Sequence, residues 1–176
     1  SRHGRDLVLQ QNCTQCHHDA NKSPLPELFQ QGPDLSGIGG RAQSGWLAQW
    51  LANPHALKPG TTMPAFVDAN TAQGKQDAAD MAAYLASLKG EKLADVAFGD
   101  DDVKLGGNRF HMLGCAGCHT LPSKPFDAQS KRSPLNNIHS KFTPASLVAF
   151  LKDPNKYHQT IKMPDFQLGD NEARQL

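Results

Sequence analysis

The sequence predicts an all-α fold in two tandem domains, and three observations carry that reading. No segment of the 176 residues alternates apolar and polar positions with period two. Apolar residues recur instead at helical spacing, as in Trp46, Leu47, Trp50 and Leu51, or Ala78, Met81, Leu85 and Leu88. The chain also repeats itself: Trp50-Leu51-Ala52-Asn53-Pro54 through Met63-Pro64-Ala65-Phe66 aligns without gaps on Phe150-Leu151-Lys152-Asp153-Pro154 through Met163-Pro164-Asp165-Phe166. The expected division is residues 1–90 for the first domain, an acidic linker over 91–102, and residues 103–176 for the second.

Each element has its own signal. Gly4 to Gln11 reads as a short helix leading into Cys13. After a polar, proline-rich loop, Gly32 to Arg41 is too rich in glycine to be expected as helix or strand. Ser44 is placed to cap a helix running to about Asn53, which Pro54 ends. Lys58 to Pro64 is an extended loop, and a longer helix is expected over about residues 71–89, stopped by Gly90. In the second half the pattern restarts at Gly106. Thr143 as N-cap, with Pro144 at the first helical position, announces a helix carrying Leu147, Val148, Phe150 and Leu151. Asp170-Asn171-Glu172 opens a last helix, but only about one turn remains before Leu176, too little to stand alone or to cover Phe110. The natural chain is therefore expected to continue, completing this helix and joining a further domain or partner.

Cys13-Thr14-Gln15-Cys16-His17 and Cys115-Ala116-Gly117-Cys118-His119 carry the chemistry. Two thiols about one helical turn apart can both form thioethers to one haem, and the histidine that follows stands under the iron. The same cysteines could make a zinc site or a dithiol redox pair. Zinc ribbons, however, close loops of about 15 to 20 residues and have no need of the histidines. With 8 histidines in the chain, one after each pair by accident has a chance of roughly 1 in 500. The expected cofactors are two covalently attached c-type haems, held by Cys13, Cys16 and His17 and by Cys115, Cys118 and His119.

Composition agrees. Only 38% of residues are apolar, low for two domains of under 90 residues each, and a porphyrin in each would supply the missing core. The formal charge of +1 becomes about −3 with four propionates counted, and basic residues are scattered, so nucleic acid is not an expected partner. No apolar run approaches the length of a membrane span. Covalent haem attachment takes place outside the cytoplasm, so the expected location is periplasmic or otherwise extracytoplasmic, with a leader removed before Ser1.

With CTQCH, GPDLSGIGGR, PGTTMPAF and a final helix containing Tyr84 and Leu85 in that order, the chain resembles a tandem of two class I c-type cytochrome domains. The resemblance implies that Met63 and Met163 are the sixth iron ligands, and that Pro33 and Pro134 offer carbonyls to His17 and His119. It also implies that Arg41 hydrogen-bonds a propionate, and that Gly4 with Val8 and Gly106 with Phe110 contact the last helix of each domain. The second half departs from the pattern at Asn136-Asn137-Ile138-His139, at Lys141 near the Arg41 position, and in its short final helix. Met63 and Met163 each precede proline in a loop, whereas Met81 and Met112 read as core filling. His55 and His158, in the methionine loops, are read as exposed, and Trp46 and Trp50 as an apolar face against haem.

Iron held by two protein ligands has no open position, which suits electron transfer. The expected function is a soluble dihaem relay between a redox donor and an acceptor, possible also as a module of a larger oxidoreductase. The alternative is a dihaem peroxidase, which needs one openable haem and a distal acid-base residue. The denatured chain should exceed its polypeptide mass by two haems. Zinc, or a free thiol at any of the four cysteines, would contradict the reading.

Overall fold

The computed structural model describes residues 2–11, 13, 17, 32–122, 132–158 and 161–176. Nine α-helices and two short strands are found among the described residues. In the N-terminal half, α1 (Arg2–Gln10), α2 (Ile38–Arg41), α3 (Ser44–Ala52), α4 (Pro54–Leu57) and α5 (Ala72–Ser87) assemble one core. Leu7 and Val8 of α1, Leu47 and Leu51 of α3, and Ala78, Met81, Ala82 and Leu85 of α5 meet there, with Met81 fully buried. Helix α5 starts where Thr71 accepts a hydrogen bond from Gly74 N–H at 3.0 Å.

In the C-terminal half, α6 (Asp100–Met112) is followed by a 3₁₀ turn (Cys115–Gly117), β1 (His119–Thr120), β2 (Ser133–Pro134), α7 (Ile138–Lys141), α8 (Pro144–Lys152) and α9 (Asp170–Gln175). The two strands pair in parallel over two residues. Thr143 caps α8 in a capping box with Ser146, as the Thr-Pro pair predicts. Among the described residues no helix is long and apolar enough to cross a membrane.

Ile38–Arg41 and Ser44–Ala52 lie 100 residues before two helices of the same lengths, Ile138–Lys141 and Pro144–Lys152. A second correspondence, at 102 residues, lies in two helix crossings. A Cβ on Gly4 would sit 2.0 Å from Asp80 O, and one on Gly106 would sit 1.8 Å from Gln175 O. Only glycine permits either approach.

Several expectations need correction. The end of the glycine-rich run, Ile38–Arg41, forms α2, while residues 32–37 stay loop and turn. Gly37 turns the chain at φ 65°, and the bare backbone of Gly39 lets its N–H reach Leu88 O at 3.0 Å, where a Cβ would strike Ala86 O. Ser44 is not the cap of α3 but its first helical residue, and Asn53 accepts from Ala56 N–H to start α4, with Pro54 at its first turn. The acidic stretch is helical from Asp100: Asp102 is buried, accepts Gly99 N–H at 2.8 Å and pairs with Arg174 at 2.8 Å. Met112 is 86% exposed and fills no core.

Short α9 is held by contacts rather than by its own length. Arg109 reaches Glu172 at 2.6 Å and Gln175 at 3.2 Å, while Ala173 is buried against α6. Phe110 stays half-buried and lines an open groove of about 340 Å³ with Phe98, Val103, Leu121, Leu147 and Val148. Gly106→Ala should destabilise the protein by about 1–3 kcal/mol in urea titration, because the clash is with backbone. Neighbouring Gly107 has open space around it, and Gly107→Ala should stabilise by about 0.5–1 kcal/mol.

Candidate haem site

Cys13 is buried in the core of the N-terminal half, and His17 N–H donates to its carbonyl at 2.9 Å. The imidazole Nδ1 of His17 lies 2.6 Å from Pro33 O. A carbonyl only accepts, so Nδ1 carries the proton and Nε2 keeps its lone pair for a metal. Arg41, at the end of α2, donates through Nη2 to Asp34 O and to Ser36 O, the latter at 3.0 Å. Asp34 in turn accepts Ser36 N–H and Oγ–H, each at 2.7 Å, so this loop is pinned from both sides.

Met63 is half-buried against the same core, its Sδ accepting from Trp50 Nε1 at 2.8 Å. Trp50 stacks on Trp46 with 5.2 Å between ring centroids. Cys16 and His18 lie outside the described residues.

The second motif is more open. Gly114, at φ 76°, turns the chain out of α6 into the 3₁₀ turn, where Cys115 is half-buried and Cys118 exposed. Burial, reinforced by the neighbouring Cys118, pushes the Cys115 thiol pKa up. His119 Nδ1 lies 3.2 Å from Ser133 O, not from the carbonyl of Pro134. The reason is register: β1 and β2 place His119 opposite Ser133, while the next ladder bond runs from Leu135 N–H to Thr120 O at 3.0 Å. Met163 is half-buried in the loop before α9.

The two halves meet beside the first motif. Asp34 N–H donates to Tyr157 O at 2.7 Å and Gln43 N–H to Lys141 O at 2.9 Å. The Gln43 amide donates to His139 O and Phe142 O, both at 2.8 Å. Asn137 Nδ2 donates to Leu57 O at 3.4 Å. Tyr157 and Leu57 are repeat counterparts, so this contact approximates a two-fold relation. The Arg41 guanidinium stacks 3.9 Å over the Tyr157 ring, and burial lowers its pKa despite Tyr157 and Asp34 nearby.

Lys141 Nζ stands 5.0 Å from the Trp46 ring centroid and 4.7 Å from that of Phe142. Burial first, then the charges of Lys58 and Arg41, push its pKa down to about 8. His158 is lowered by burial, by Lys58 and Lys141, and by His17. It is half-buried at this contact rather than the exposed loop residue its position had implied.

These residues fit a haem. His17 offers a directed Nε2, the Met63 thioether shares its core, and two buried donors, Arg41 Nε and Trp46 Nε1, have no hydrogen-bond partner among the described residues. Such donors suit the carboxylates of a porphyrin. Among the described residues no three His, Cys, Asp or Glu side chains converge on a metal position of their own.

The cytochrome c family matches residues 1–89, half of the chain, and the chain belongs to that family. It is therefore identified with electron-transfer proteins that bind haem c covalently. Neither a curated protein nor a solved structure matches it. Arg41→Met should cost about 1–3 kcal/mol in urea titration, since it leaves two carbonyls without their donor.

Proposed function

We propose that the chain is a dihaem c-type cytochrome, two tandem domains that pass single electrons between a redox donor and an acceptor and catalyse no reaction of their own. The observation that carries this is the Nδ1–carbonyl bond of the histidine after each cysteine pair, at 2.6 Å in one half and 3.2 Å in the other. It fixes the tautomer and aims Nε2, which a solvated histidine would not need.

The first haem would be held by Cys13, Cys16, His17 and Met63, and the second by Cys115, Cys118, His119 and Met163. Bound there, haem supplies a one-electron iron couple. The protein's residues do the tuning. A neutral thioether favours the reduced metal and raises the potential above that of two histidines, and the Trp50 N–H orients the Met63 sulfur. With a histidine and a methionine both given to each iron, no position would be left for substrate, which favours a relay over a peroxidase. Covalent attachment of haem c is an extracytoplasmic process, and that is the location proposed.

The test is spectroscopic. The oxidised protein should show the weak near-infrared sulfur-to-iron band from both haems, and Met63→Ala should remove about half of it and lower that haem's potential. A native haem that is high-spin, or ligated by two histidines at neutral pH, would contradict the proposal.

A further inference from the structure

Lys141 occupies the repeat position of Arg41, so by sequence it belongs to the second motif. Its place in the structure is different. Its carbonyl accepts Gln43 N–H from the N-terminal half, and its ammonium stands over Trp46 of α3. Within this small region lie Trp46 Nε1 and Arg41 Nε, both buried and without a partner among the described residues. Lys141 makes no ion pair among the described residues either, and the nearby acid, Asp34, already accepts two bonds from Ser36.

Three donors, two of them cationic, thus gather where, among the described residues, no acid forms an ion pair with either cation. Burying cations together is costly unless a negative group compensates them. The low pKa of Lys141, about 8 beside Lys58 and Arg41, expresses that cost. A carboxylate among the three would remove it.

We propose that the carboxylate site for the first haem is built from both halves: Arg41 and Trp46 from the N-terminal half, and Lys141, reaching across the contact, from the C-terminal half. This rests on the haem reading of the first motif and adds to it a residue that the repeat assigns to the other haem. Lys141 is then a binding residue for the first haem's propionate. A cation there favours the reduced state, because reduction removes one positive charge from the iron. The C-terminal half thereby sets the potential of the haem in the N-terminal half. It also ties the first haem to the interdomain contact, so that loosening Gln43 from Lys141 alters the same couple.

The test uses the full-length holoprotein in a spectroelectrochemical titration, with Met63→His identifying the first haem's wave. Lys141→Gln should shift the first haem's midpoint downward, with the second moving less, and Lys141→Arg should keep it near the native value. Redox-difference infrared spectra with ¹³C-labelled propionates should show a carboxylate band displaced by Lys141→Gln. An unchanged near-infrared sulfur band in each Lys141 variant separates this from lost ligation. If Lys141→Gln leaves the first midpoint and the carboxylate band unmoved, or shifts only the second haem, the proposal is overturned. Absence of haem on the Cys13 peptide, seen by mass before any titration, would instead remove the reading on which it rests.

Discussion

The constraint on which the rest depends is the hydrogen bond that holds the first histidine ring. His17 Nδ1 lies 2.6 Å from Pro33 O, which settles both the tautomer and the direction of Nε2. For that carbonyl to be there, the loop after it has to be rigid. Arg41 supplies the rigidity by gripping the carbonyls of Asp34 and Ser36, and Arg41 is itself placed by α2, whose glycines let it lie against the end of α5. Helix α5 in turn packs on α1 through Gly4, just before Cys13. The chain of contacts thus starts and ends at the cysteine motif, and a single misplaced Cβ in it would be felt at the imidazole.

The contact between the halves follows from the same loop. Asp34 and Gln43 flank α2, and both use backbone N–H groups to bond the C-terminal half. The segment that orients His17 is therefore also the segment that binds the other half. Tyr157 against Arg41 and Lys141 over Trp46 complete an arrangement in which the C-terminal half covers two side chains of the N-terminal half. Such an arrangement fixes the two halves against each other, which a flexible linker alone does not provide.

Much of this was legible in the sequence, for identifiable reasons. Thr143-Pro144 and Thr71 mark helix starts through side-chain caps, and the apolar stripe of α5 is continuous enough to read. The spacing of the first cysteine pair and its histidine pointed to the family, because covalent haem attachment fixes that spacing. What was missed depends on distant partners. The run from Gly37 to Arg41 looks like a loop until α5 is present to receive it, and Asp100 to Asp102 look like linker until Arg174 arrives to pair with Asp102. The approach of Lys141 to Trp46 was hidden for a further reason. Backbone hydrogen bonds from Asp34 and Gln43 create it, and backbone bonds leave no residue pattern.

The central claim is that each half holds an iron between a histidine Nε2 and a methionine Sδ. Anomalous diffraction at the iron edge, on crystals of the holoprotein, tests it most directly. Two iron peaks per chain are predicted, one between His17 and Met63 and one between His119 and Met163. A single peak, or a zinc signal between the cysteine pairs, would contradict the account.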